Sequence, residues 1–150
     1  MVISYFSYDS IPDEAVLDGI IQLHKAIFNS SDDVKNKMDA KSNVIVLTAM
    51  KNSKVIGYKI GYELTPHMFY SWLGGVDPTY RKNGIASQLM SRQHSLLKEK
   101  GYRVVQTKSM NKWRSMLLLN IQNGFDVIDT YVDEKGLHKI TLEKTLDNER

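Results

Sequence analysis

The sequence predicts an α/β (α+β) fold: a mixed, largely antiparallel sheet of about seven strands with helices on both faces. Three observations carry that prediction. β-Branched and aromatic segments alternate with amphipathic helical ones in the order βααβββ, then αβ, then αββ. Short turn signals at Lys51-Asn52-Ser53, Thr65-Pro66 and Asp133-Glu134-Lys135-Gly136 separate neighbouring strand segments. The chain has 150 residues, 42% hydrophobic and 25% charged, enough for one domain with a sizeable core.

The same figures exclude whole classes. Composition rules out disorder as the main state, and no repeat, low-complexity tract or linker divides the chain, so residues 1–150 are read as a single domain. The absence of cysteine removes disulfides, thiolate nucleophiles, zinc–thiolate sites and iron–sulfur clusters, and fits a reducing, cytoplasmic setting; no metal is expected. No apolar run approaches the roughly 18 residues of a membrane span. The amino terminus, MVISYFSYDS, lacks the basic n-region of a signal peptide. Twenty basic residues against seventeen acidic ones leave +3. Those charges are interspersed, whereas a nucleic-acid binder gathers them on one face, so no nucleic-acid partner is expected. The modest surplus still favours a phosphate-bearing cofactor.

The elements follow in order. Val2–Tyr8 reads as a strand. Ser10-Ile11-Pro12-Asp13 reads as a helix start with a capping hydroxyl, a first-turn proline and an early acid. Ala15, Val16, Gly19, Ile20, Leu23 and Ile27 then recur at helical spacing to near Asn29. Ser31-Asp32-Asp33 caps a short second helix that ends before Asn43. Strands are expected over 44–50, 54–63 and 67–76, the first two as a hairpin. From Gly84 the period becomes helical, with Ile85, Ala86, Leu89, Met90, Gln93, Leu96 and Leu97 on one face and Gly101 as the stop. Tyr102–Thr107 is a strand. Lys112–Gln122 is a helix, apolar over most of its circumference. Phe125–Val132 and Leu137–Leu146 form the last hairpin, and 147–150 a frayed tail.

Val76-Asp77-Pro78-Thr79-Tyr80-Arg81-Lys82-Asn83-Gly84-Ile85-Ala86 carries the most chemistry. It ends a strand, turns, and opens an amphipathic helix. A helix amino terminus presents unpaired N–H groups and a partial positive charge, so it can hold phosphate. Gly84 lets an anion approach the backbone, and Arg81 and Lys82 add charge. The alternative is an ordinary strand–loop–helix connection. Neither GxxxxGK(S/T) nor GxGxxG occurs.

Arg81 to Ala86 also matches the Q/R-x-x-G-x-G/A signature of the GNAT superfamily of N-acetyltransferases, and Val76 to Tyr80 matches that family's V-x-P-x-Y/F lead-in. Gly124-Phe125 matches the Gly-Phe after its last helix, so the chain resembles the family over nearly its whole length, least in the first forty or so residues. The resemblance implies a GNAT-like fold and acetyl-CoA as cofactor. It implies the pyrophosphate on the amides of Arg81, Lys82, Asn83, Gly84, Ile85 and Ala86, with Ser87 adding a hydroxyl. Val76 would offer backbone groups to the pantetheine arm, Asn111 would contact that arm, and Gly74-Gly75 suits the bulge that splays two parallel strands. Two departures stand out: Asn111 lies slightly further from Gly124-Phe125 than the family spacing, and Asn120 occupies the place of the family's frequent tyrosine acid.

The implied reaction is direct attack of a primary amine, from a small molecule or a peptide, on the acetyl thioester through a tetrahedral intermediate. Asn120 is a donor to sulfur or carbonyl, and Glu63 the first candidate base, with a solvated strand-end acid as its plainer alternative. His67 is the second. His94 is expected to be exposed, and His24 and His138 have no evident partner. Tyr70 and Trp72 are candidates for the acceptor pocket, with core packing as the alternative. Trp113, Met116, Leu117 and Leu119 are candidates for the cofactor arm on the same terms. Asp32 and Asp33 would receive a cationic acceptor or simply cap a helix. The runner-up reading is a non-catalytic acetyl-CoA-binding sensor or scaffold. A monomer or homodimer is expected.

Overall fold

The computed structural model describes residues 2–30 and 32–146. Seven strands form one sheet: β1 (Ser4–Tyr8), β2 (Ile45–Lys51), β3 (Lys54–Thr65), β4 (Met68–Val76), β5 (Val104–Ser109), β6 (Asp126–Val132) and β7 (His138–Thr145). Their order is β1-β2-β3-β4-β5-β7-β6, and only β4–β5 is parallel. Four helices pack on it: α1 (Glu14–Phe28), α2 (Val34–Asp39), α3 (Ile85–Glu99) and α4 (Arg114–Gln122).

Two cores sandwich the sheet. On one side α1 and α2 bring Leu17, Ile20, Leu23, Val34 and Met38 against Val46, Tyr58 and Ile60. On the other, α3 brings Ile85, Leu89, Met90 and Leu97 against Leu47, Phe69, Val105 and Leu142, with Leu117 and Leu119 of α4 beside them. Covered on both faces, β2 is a continuous apolar run rather than an alternating one.

Local chemistry sets most boundaries. Asn29, at φ 49°, ends α1, and Gly101, at φ 93°, follows α3. The cap of α1 is Asp13, whose carboxylate accepts from the Val16 amide at 3.1 Å, so Ser10 and Pro12 stand outside the helix. The carboxylate wins because it, not the hydroxyl, stands three residues before the amide to be capped. Asp33 caps α2 in the same way, through the Asn36 amide at 3.1 Å; Ser31 and the tail 147–150 lie outside the described residues. A single 3-10 turn, Pro78–Tyr80, precedes α3. α4 presents Leu118 and Ile121 to solvent.

The feature that positions the site is a fork. β4 and β5 pair from Met68–Val104 to Ser71–Thr107 and then part. The Thr107 hydroxyl donates to the Ser71 carbonyl at 2.9 Å, where the fork begins. β3 pairs Ile60 with Leu73 but Gly61 with Ser71, so Trp72 is the extra residue of a bulge. This corrects the expectation for Gly74-Gly75, which pair regularly with Lys59 and Tyr58. Those glycines serve space instead. A Cβ at Gly75 would meet Ile27 Cδ1 at 2.8 Å and Tyr58 Cε1 at 3.2 Å, and one at Gly74 would lie 3.7 Å from Lys59 Cγ.

Candidate active site

The open arm of β4 leads directly into the strand–turn–helix segment. The Asp77 amide donates to the Ile56 carbonyl at 2.8 Å, which anchors the end of β4 to β3. The Asp77 carboxylate accepts from the Thr79 amide at 2.9 Å and pairs with Lys54 at 3.7 Å. Asn83 closes the loop by donating to the Tyr80 carbonyl at 2.9 Å. Lys82 and Gly84 both take left-handed backbone, at φ 66° and 76°. That pair of conformations turns the chain so that α3 begins at Ile85 with no side chain capping its first amides.

The open space there is what an anion needs. A Cβ built on Gly84 would meet nothing within 4 Å. Arg81, Lys82, Asn83 and Ser87 are exposed around the same turn, Ala86 is half-buried, and Ile85 is anchored in the core. Arg81 Nε donates to the Val76 carbonyl at 3.3 Å, which ties the turn to the last residue of β4. Uncapped donors, a clear approach and cationic side chains fit a diphosphate.

The two faces of the fork differ in chemistry. On the α3 face, Lys59 extends past Gly74 and is 7% exposed; burial pulls its ammonium down to about 8. Beside it, burial first and then Lys144 and Lys59 push His94 down to about 3, so its ring is neutral. Lys144 Nζ donates to His94 Nδ1 at 3.1 Å. Asn120 is buried on α4, and its carbonyl accepts from the Asn123 and Phe125 amides at 3.1 and 3.0 Å.

On the α1 face, Tyr62, Tyr70, Gln106 and Glu143 lie in one lateral row of paired residues across β3, β4, β5 and β7. Gln106 Nε2 donates to Glu143 Oε2 at 3.1 Å. Glu143 is thus one rung from the Ser71–Thr107 pair where the fork opens. Burial pushes the Tyr70 hydroxyl up to about 12, with Tyr62 and Tyr131 adding to it. Tyr58 contacts His24 Nδ1 through its hydroxyl, and burial pushes that hydroxyl up while it pulls His24 down.

The structure brings Val76 and residues 81–87 to one end of the fork, with Asn111 exposed in the turn after β5. Glu63 lies elsewhere. It pairs with Phe69 on the closed side of the fork, and its carboxylate accepts from Tyr102 Oη at 2.7 Å and Asn43 Nδ2 at 3.1 Å. His67 is exposed at the same closed end, just before β4. His94, expected at the surface, is 7% exposed, because Phe125 (ring centroids 5.5 Å apart) and Lys144 cover the side of α3 that a helical wheel leaves bare. His24 has the Tyr58 partner that the sequence did not reveal, and His138 is exposed. Asp33 caps α2 and Asp32 pairs with Lys37 at 3.6 Å. Trp113, at 40% exposure, meets Phe28 of α1 edge-on at 6.1 Å; Met116, Leu117 and Leu119 are half-buried on α4. Sequence reading missed Lys59, Gln106 and Glu143; Lys59 interrupts an otherwise apolar strand run, whereas Gln106 and Glu143 sit in strands of mixed polarity that give no such signal.

A sheet forked between two parallel strands, with a helix start opening at the fork's end, defines a class of fold. The chain belongs to the GNAT family of acetyltransferases: the model described as "Acetyltransferase (GNAT) family" matches residues 17–113. A sequence comparison with curated proteins finds no match. Among solved structures, the chain is similar to the ribosomal-protein-S18-alanine N-acetyltransferase of Escherichia coli, at 12% identity and TM-score 0.82, covering 99% of this chain and 97% of that one. It is similar to a GNAT family acetyltransferase of Elizabethkingia anophelis with acetyl-CoA bound, at 16% identity and TM-score 0.74, over 95% and 97% of the two chains. It is also similar to an aminoglycoside 6'-N-acetyltransferase complexed with coenzyme A, at 12% identity and TM-score 0.79, over 100% and 99%. No described helix is long and apolar enough to cross a membrane.

Proposed function

We propose that the chain transfers an acetyl group from acetyl-CoA to a primary amine by direct attack. The observation that carries this reading is the uncapped start of α3 at Gly84, open for 4 Å around the glycine and continuous with the arm of β4 that has parted from β5. Amides from Arg81 to Ala86 hold the diphosphate, with the Ser87 hydroxyl beside them. Val76 and the rest of the β4 arm orient the pantetheine like an added strand, and Asn111 meets it from the turn after β5. Bound in this way, acetyl-CoA supplies an activated acyl carbon and a thiolate leaving group.

The protein's own task is mostly to manage the amine. An alkylammonium of pKa about 10.4 is neutral roughly once in 2,500 molecules at pH 7, a penalty of about 4.6 kcal/mol. A thiol of pKa about 8.5 costs only about 2 kcal/mol to release unprotonated at pH 7. Accepting the amine's proton is therefore the larger need, and asparagine in place of a tyrosine acid is tolerable. Glu63, occupied by Tyr102 and Asn43 on the α3 face, is poorly placed to meet the amine directly. Glu143, on the α1 face one rung from the fork and steadied by Gln106, is the better proton acceptor. Asn120 steadies the developing charge on sulfur or carbonyl oxygen by hydrogen bonding.

The test is release of free thiol from acetyl-CoA across a panel of primary amines, with wild type and Glu143→Gln. Turnover is expected on part of the panel, with Glu143→Gln slower by about 10²-fold at pH 7. Binding of acetyl-CoA without thiol release on any amine would make the chain a cofactor-binding module instead.

A further inference from the structure

The α1 face carries an aromatic cluster at the mouth of the fork that the acetyl-transfer chemistry above does not use. Trp72, the bulge residue, stands immediately past the last β4–β5 pair. Its ring meets Tyr62 edge-on at 5.9 Å between centroids, and Tyr62 meets Tyr70 at 5.4 Å. All three side chains are half-buried, so ring surface remains accessible to solvent. The ammonium of Lys41, from the loop after α2, rests 4.7 Å from the Tyr62 centroid and 5.5 Å from the Trp72 centroid. Lys41 makes no ion pair among the described residues. A lysine that takes two ring faces in place of a carboxylate marks where the ring quadrupoles concentrate negative potential.

We propose that Tyr62 and Trp72 form a seat for a second positive charge on the acceptor, that Lys41 occupies this seat as an internal stand-in, and that the acceptor is consequently an alkyl diamine or polyamine rather than a monoamine. The proposal rests on the transferase reading of the fork. Neighbouring strands lie about 4.8 Å apart, so a seat on β3 and β4 is roughly 5–10 Å from an amine held over the β4–β5 gap. A short alkyl diamine covers that reach. Glu143, held by Gln106 on the far side of the gap, places a carboxylate beside the amine that reacts, while the aromatic rings receive the one that does not. The two nitrogens thus meet different chemistry, and one end is acetylated first. The β4 bulge contributes directly, because it sets the Trp72 ring on the α1 face beside Tyr62.

The test needs no turnover. Cofactor-free protein is titrated with putrescine or with butylamine, following the indole N–H resonance of Trp72, assigned by its disappearance in Trp72→Phe. Putrescine is expected to saturate the shift at about tenfold lower concentration than butylamine. Lys41→Ala, a change at a loop residue, vacates the seat and widens that ratio by about threefold or more; Tyr62→Leu collapses it. Equal saturation by the two amines in wild type and in Lys41→Ala overturns the proposal. Calorimetry with acetyl-CoA, run in parallel, keeps the two readings apart. Intact acetyl-CoA binding with equal amine saturation removes the cation seat and leaves the transferase. Loss of acetyl-CoA binding removes the transferase, while the amine titration still decides the seat.

Discussion

Lys59 carries its charge into the fold with no carboxylate partner among the described residues, beside His94 and Lys144. Burial lowers its folded-state pKa to about 8, against about 10.4 for an unhindered lysine. Between those values the unfolded chain binds the proton and the folded chain does not, so this group makes stability rise with pH from about 8 to about 10. Below that window it is charged in both states and its burial is a standing cost. Lys59→Met, similar in length, is expected to be more stable than wild type at pH 7, by up to about 3 kcal/mol, with the advantage fading towards pH 10. Urea denaturation of both proteins across that range is the measurement; parallel stability curves would mean that the charge is not the cost. Lys59 was illegible because strand alternation assigns a lysine to the solvent face, and here α3 covers that face. His94 was misread for the related reason that its cover comes from Phe125 and Lys144, far along the chain. Asn29, Gly84 and Gly101 were legible because left-handed backbone is a local requirement that few residue types meet.

Between elements, the contact that matters most is β3 against β4, where the bulge at Trp72 opens the fork. Gly61 makes that approach possible. A Cβ there would come within 2.5 Å of the Tyr70 carbonyl oxygen and would strike the Phe69 ring, which is fully buried and has nowhere to go. Gly61→Ala is expected to destabilise the fold by about 3 kcal/mol. A loss below about 1 kcal/mol in chemical denaturation would show that the bulge absorbs a methyl group, and that the fork is softer than described. The strands and their order were readable, since turn residues and periodicity mark them locally. The bulge was placed two residues too late, at Gly74-Gly75. Glycine signals a need for space or for unusual backbone, and the sequence alone does not say which. At Gly74 and Gly75 the need is room for the Lys59 stem and for the Ile27 and Tyr58 side chains.

At the scale of the whole molecule, β1–β4 with α1 and α2 meet β5–β7 along the short β4–β5 ladder, and α3 spans the join. Past Ser71–Thr107 the two parallel strands leave their facing edges without a strand partner, which is where the proposed cofactor arm would lie. The turn proposed for the diphosphate was legible as a strand–turn–helix connection because Val76 to Ala86 is one contiguous segment. The cluster proposed for the acceptor was only half legible. Tyr70 and Trp72 stood out as aromatics, whereas Lys41, Tyr62, Gln106 and Glu143 join them only through lateral register across four strands and a loop. The central claim is that the turn into α3 is built for a diphosphate, and Gly84→Asp tests it directly. An Asp at φ 76° costs about 1 kcal/mol of backbone strain and meets no steric obstacle, so the variant folds. Calorimetric titration with acetyl-CoA should show saturable binding to wild type and at least about 100-fold weaker binding to Gly84→Asp, because a carboxylate then stands where phosphate is to lie. Equal affinity in the two proteins would contradict the account.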